Sequence, residues 1–256
     1  MIRFSIFGIP VSVDPMFWLV SFMLGGGLHA LSGGGDRQFA LIGALVWVVA
    51  MFISILVHEL GHALTGLKLG GGRTWIQLWA FGGLAFNQGG NFTRKNKAIM
   101  IAMGPGAGFL LYLLVLAIAM LVLSPSYALQ IAHYSLAQIY APIAQIFTGN
   151  TFYSPSEAFA YFLQNPSNAM KIRIFESFFM INLFWGLVNL LPIMPLDGGQ
   201  LLNTFHKSPK KVYLISTIVA VSVGLLGAFA LKSLFMPLLF GYLAYNSYTA
   251  YTQANY

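Results

Sequence analysis

His58 and His62 stand four residues apart and enclose a glutamate in the run His58-Glu59-Leu60-Gly61-His62. On a helix, residues four apart share one face, so both imidazoles can meet a single metal ion. Glu59, next to His58, can then reach a water at that ion and take its proton during attack on a carbonyl. Gly61 is small enough to let another segment come close. Such a site uses three protein ligands and keeps one position open. The chain contains no cysteine, so the third ligand must come from His29, His133, His206 or the remaining acidic residues. Asp197 is the best placed of these. It lies in Asn189-Leu-Leu-Pro-Ile-Met-Pro-Leu-Asp197-Gly-Gly, where Pro192 and Pro195 end or break a helix and Gly198 and Gly199 allow tight backbone geometry. Two alternatives stay open. Asp197 can serve as a helix N-cap, and Glu157 or Glu176 can take the third ligand position.

The elements that must carry these residues belong to a membrane. The chain is 58% hydrophobic and 7% charged, whereas a soluble domain is typically about a quarter charged. Apolar stretches fall at 16–31, 39–67, 98–123 and 174–191. A last stretch, 212–251, is long enough for two spans, with a break near Lys232 and Pro237. By length this makes about six transmembrane helices. The first is short and carries Gly25-Gly26-Gly27, where it can tilt or break. His58, Glu59 and His62 fall in the second span, and Asp197 directly follows the fourth. Ionisable groups at such depth are costly and mark function, and irregular backbone there must be buried in protein or line a wet cavity.

The net charge of +7 sets orientation and does not indicate a nucleic-acid partner. With the N-terminus cytoplasmic, Arg3, Lys68, Arg73, Arg94, Lys95, Lys97, Lys207, Lys210 and Lys211 fall inside, against Arg37, Lys171, Arg173 and Lys232 outside. An even number of spans then puts both termini in the cytoplasm. Two regions do not read as spans. The N-terminal alternation at Ile2, Phe4, Ile6, Val11 and Val13 suggests a short strand pair at the interface, and 70–91 reads as a membrane-associated β-hairpin. Residues 124–169 are aromatic and nearly uncharged, with a helix expected near 128–147. The fold class expected is therefore an all-α polytopic membrane protein with a small β-hairpin. It forms a single domain over 1–256, with a catalytic core at about 39–202 and a C-terminal helix pair at about 211–251.

His58-Glu59-Leu60-Gly61-His62 on one span, followed by the Asn189 to Gly199 run on a later one, resembles the site-2 protease family of intramembrane zinc metalloproteases. Phe81-Gly82-Gly83-Leu84 and Met103-Gly104-Pro105-Gly106-Ala107-Gly108 fall between them at matching places. The resemblance implies a three-helix catalytic core, zinc held by His58, His62 and Asp197, and Glu59 as catalytic base. It also implies that Asn189 and Pro195 handle substrate, with Asn189 placed to donate to an oxyanion. The hairpin around Gly82 and Gly83 would pair with an unwound substrate by strand addition. No PDZ or CBS domain is recognisable.

The expected activity is hydrolysis of peptide bonds within or next to transmembrane segments of membrane proteins, in the cytoplasmic membrane of a prokaryote. The expected partners are a transmembrane substrate and the lipid bilayer. A rival of a different class is a membrane metal transporter or a non-proteolytic metal-binding scaffold. A transporter would line several spans with ligands, whereas here the polar groups gather in one constellation.

Overall fold

A computed structural model describes residues 1–32, 36–148, 159–160, 162 and 165–253. The chain opens with two strands, β1 (Ile2–Ile6) and β2 (Ile9–Val13), paired antiparallel. Their two-residue turn places Phe7 at φ 51° and Gly8 at φ 77°, the doubly left-handed geometry that matches strand twist in tight hairpins. Asp14 then caps α1 (Pro15–Leu24), its side chain accepting from the Met16 amide, with Pro15 in the first turn.

The expected span at 16–31 is a broken element. α1 has 10 residues, about 15 Å of helix, and stops at Gly25 and Gly26. The short α2 (Gly27–Leu31) follows, its start set by Gly26 at φ 86°. Neither piece crosses a bilayer by length.

Asp36 caps the longest helix, α3 (Arg37–Gly70), by accepting from the Phe39 amide. Two of the six acidic residues are thus helix caps. After α3 come β3 (Arg73–Trp79) and β4 (Gly82–Gln88), the expected hairpin, in register from Arg73 opposite Gln88 to Trp79 opposite Gly82. The two hairpins are not separate. β2 pairs parallel with β3, giving one four-stranded sheet in the order β1-β2-β3-β4. That joining corrects the expectation of a lone membrane-associated hairpin. A parallel pairing across some sixty residues leaves no local mark in sequence.

The remaining helices are α4 (Arg94–Val122), α5 (Pro125–Thr148), α6 (Pro166–Asn189), α7 (Asp197–Phe205), α8 (Pro209–Phe229) and α9 (Phe235–Gln253). α3, α4 and α8 are long and apolar enough to cross a membrane. The expected number of about six is not reached: among the described residues these three qualify by length and composition. α5 and α6 match them in length but carry more polar residues, and α9 is shorter. The break between α8 and α9 falls at Lys232, whose φ of 50° is left-handed.

Three apolar clusters hold the bundle. One joins the sheet's Ile9, Val11, Val13, Ile76 and Leu78 to α1 and α3. A second links α4, α5 and α6. The third lies between the end of α6 and the α8–α9 pair. α3, α4 and α6 pack against one another as a three-helix group.

Candidate active site

α3 is an apolar helix whose inner face turns polar at Ser54, His58 and Glu59. His58 is 3% exposed and Glu59 4%. The His58 and His62 rings lie one turn apart, with centroids 4.9 Å from each other and planes at 79°. His62 Nδ1 is 2.9 Å from the Met100 carbonyl on α4. A carbonyl only accepts, so Nδ1 carries a proton, and in the neutral ring Nε2 then keeps its lone pair. α4 comes this close because its facing residues are small. A Cβ on Gly104 would overlap the His62 ring, and one on Gly61 would overlap the Met103 carbonyl.

Asp197 reaches the same point by a different route. α6 stops at Asn189, and the chain turns through Pro192 and a cis Met194–Pro195 bond into α7. Asp197 is the first residue of α7. The capping position is Leu196, with no side-chain cap bond, so the N-cap alternative for Asp197 falls. Gly198 and Gly199 matter by close approach: a Cβ on either would strike the backbone at 190–194. The C-terminal pair braces this turn. Ser216 Oγ on α8 accepts from the Met194 amide at 3.0 Å, and Ser247 Oγ on α9 lies 3.4 Å from the Met194 carbonyl.

The result is a close cluster in which each carboxylate oxygen of Asp197 faces one imidazole. Asp197 Oδ2 is 3.1 Å from His58 Nε2, Asp197 Oδ1 is 3.2 Å from His62 Nε2, and the two Nε2 atoms are 3.2 Å apart. Zinc with arms of about 2.0–2.1 Å in tetrahedral geometry has donor-to-donor edges of about 3.3 Å. Two imidazole nitrogens and one carboxylate therefore fit a divalent metal in both chemistry and spacing. His58, His62 and Asp197 form such a group with ligand atoms within 4.8 Å of one another. His29, His133 and His206 are not part of it. His133 bonds Tyr140 at 3.0 Å, and His206 closes α7 beside Ser208. Glu176 accepts from Gln138 of α5 at 2.6 Å and is likewise not part of the group. Glu157 lies outside the described residues.

Glu59 points between the metal group and β4. The Ala85 amide of β4 faces its carboxylate, and Gly83 lies directly against its side chain, where a Cβ would overlap it. Glycine at 83 is a requirement of this contact. Gly82 serves another neighbour: it packs under the Trp185 ring of α6. A cavity of about 280 Å³ opens at this point. His58, Glu59 and His62 form one wall, Gly83 to Asn87 of β4 another, and Asn189, Pro195 and Asp197 a third. Trp185, Phe240, Tyr242 and Leu243 make its apolar side, with Gln200 and Asn246 also contributing. Gly82 is not in the wall. Sequence reasoning missed Trp185, Tyr242, Asn246 and the two bracing serines. The available signal was weak: single polar or aromatic residues on otherwise apolar helices.

Residues 46–231 match Peptidase family M50. The chain is 30% identical over 209 residues to a protein of Synechocystis sp. named as a zinc metalloprotease, covering 78% of this chain and 42% of that one. It is 26% identical over 244 residues to a zinc metalloprotease of Methanocaldococcus jannaschii, covering 95% and 54%. The chain thus spans about half the length of these curated relatives. Its fold is similar to the solved Site-2 Protease from Methanocaldococcus jannaschii, with a TM-score of 0.56 at 20% identity over 98% of this chain and 94% of that one.

Proposed function

The chain belongs to Peptidase family M50, and from that premise we propose that it is a zinc-dependent metalloendopeptidase of membrane-protein substrates, cutting within or next to their transmembrane segments. One observation carries the reading. A buried glutamate stands beside a three-donor metal group and against an open strand edge, all facing one cavity.

His58, His62 and Asp197 would hold the ion. Zinc bound there supplies Lewis acidity, which polarises a scissile carbonyl and lets water give up a proton near neutral pH. Glu59 takes that proton and delivers it to the leaving amine. Burial keeps the carboxylate close to the reacting atoms and away from bulk water. Asn189, in the cavity wall, would donate to the developing oxyanion. β4 is an edge strand, and alternate residues of an edge leave their amides unpaired. With Ala85 facing the site, Gly83 and Asn87 share its outward register and offer a ladder to an extended peptide. A helical substrate must unwind to use it, so small or helix-breaking residues near the cut favour cleavage. Pro195 borders the same groove.

The setting proposed is a multi-pass protein of a prokaryotic cytoplasmic membrane, with both termini cytoplasmic as the distribution of lysine and arginine suggests. Against a metal transporter, the donors among the described residues gather at one point with no relay along the bundle.

The test is cleavage of a model transmembrane substrate by purified protein in detergent, wild type against Glu59→Gln, with zinc assayed in both. The expected outcome is a loss of about 10²- to 10⁴-fold in rate with zinc content unchanged. Equal cleavage by both proteins would remove Glu59 from the mechanism. Zinc flux into proteoliposomes without cleavage would favour the transporter.

A further inference from the structure

Behind the metal group stands a buried amide that the proposed reaction does not use. Asn182 lies on α6, two turns before Asn189 and on the same helix face, and is 3% exposed. Its Nδ2 donates to Ser54 Oγ of α3 at 2.8 Å and to the Phe178 carbonyl of its own helix at 2.9 Å. The Phe178 carbonyl accepts only, so the orientation of the Asn182 amide is fixed by chemistry. Oδ1 therefore points the other way, and it is buried with no hydrogen-bond partner among the described residues. Buried amide oxygens are almost always paired, with protein or with ordered water.

What Oδ1 faces is Gly108 of α4 and, across it, His58. A Cβ placed on Gly108 would stand 3.8 Å from Asn182 Oδ1 and 4.0 Å from His58 Nδ1. Both atoms border the space that the missing side chain leaves. His58 turns its other nitrogen, Nε2, to Asp197 and His62. A neutral imidazole that ligates through Nε2 carries its proton on Nδ1, and that proton needs an acceptor. His62 already has one in the Met100 carbonyl.

We propose that Asn182 Oδ1 is the acceptor for His58 Nδ1–H through one water lodged beside Gly108, and that Asn182 is thereby a positioning residue for the metal site. Each imidazole then has its own outer partner: a main-chain carbonyl for His62, a side-chain amide for His58. Such partners orient the ring, fix its tautomer and raise its basicity toward a metal. The inference rests on the metal-site reading above.

Zinc affinity of the purified full chain, measured by competition with a chelator, tests it on Asn182→Leu and Asn182→Asp. Leucine has similar volume and no acceptor, whereas aspartate keeps an acceptor oxygen. Asn182→Leu is expected to weaken zinc binding by about 10- to 100-fold, and Asn182→Asp to recover most of that loss. Wild-type affinity in Asn182→Leu, or equal losses in the two variants, would overturn the proposal. Should Asn182→Leu fail to fold, nitrogen-15 NMR of histidine-labelled, zinc-loaded wild type decides. A proton on His58 Nδ1 that shifts in Asn182→Asp supports the assignment, and a His58 ligating through Nδ1 sinks it. A wild-type protein that binds no zinc defeats the metal-site reading itself, an outcome distinct from equal binding by wild type and Asn182→Leu.

Discussion

The two hairpins of the sheet follow the same local rules and end in different roles. In the first, β2 buries Ile9, Val11 and Val13 on one face, while Phe4 of β1 meets Phe52 of α3 edge-on at 6.4 Å. In the second, β3 buries Thr74, Ile76 and Leu78 by the same alternation. β4 departs from it. It begins with two glycines, lies against α3 at the level of Glu59, and turns its open edge to the cavity. Strand propensity built both hairpins. What separates them is which edge abuts the buried carboxylate. The first hairpin is packing, and the second is part of the site.

That contrast can be broken or sharpened by substitution. The largest effect is expected at the metal group that the second hairpin faces. Asp197→Ala should reduce zinc content to background and abolish cleavage, while Glu176→Ala should keep both, as zinc analysis and a substrate assay would register. Retained zinc in Asp197→Ala would remove the centre to which β4 is referred. Next comes Gly83→Val. Its side chain has no room beside Glu59, so the carboxylate must move. A displacement of about 1 Å is expected to cost about 10²-fold in cleavage with zinc retained. Full activity in this variant would place β4 in the same class as β1. The smallest effect on chemistry is expected from Phe4→Ala in the first hairpin. It should lower stability by about 1–3 kcal/mol, read by denaturant titration in detergent, and leave the catalytic rate of the folded fraction unchanged. A rate loss matching that of Gly83→Val would erase the distinction.

The bracing of Asp197 gives the C-terminal pair a structural part that its sequence did not announce. Ser216 and Ser247 are small hydroxyls on apolar helices, a common pattern for helix packing. Only in three dimensions do both come to Met194, three residues before Asp197. The spans show the same limit. Length and apolarity located α3, α4 and the helices of the C-terminal pair closely, and the glycines at 25–27 marked the place where α1 ends. Neither property could tell a crossing helix from a 10-residue one followed by a turn.

Sequence by itself determined what a fixed period can determine. The four-residue spacing of His58 and His62 puts both imidazoles on one face wherever α3 lies, because 3.6 residues make a turn. Alternation marked both hairpins, since a strand repeats every two residues. Prolines 192 and 195 ended α6 because they lack the amide a helix requires. Tertiary structure decided the rest: that Asp197 meets His58 and His62, that Gly83 makes room for Glu59, that the two hairpins share one sheet, and that Asn182 stands behind His58. These are contacts between segments remote in the chain. They depend on how closely helices and strands approach, a quantity set by the packing of many side chains at once and carried by no single stretch of residues.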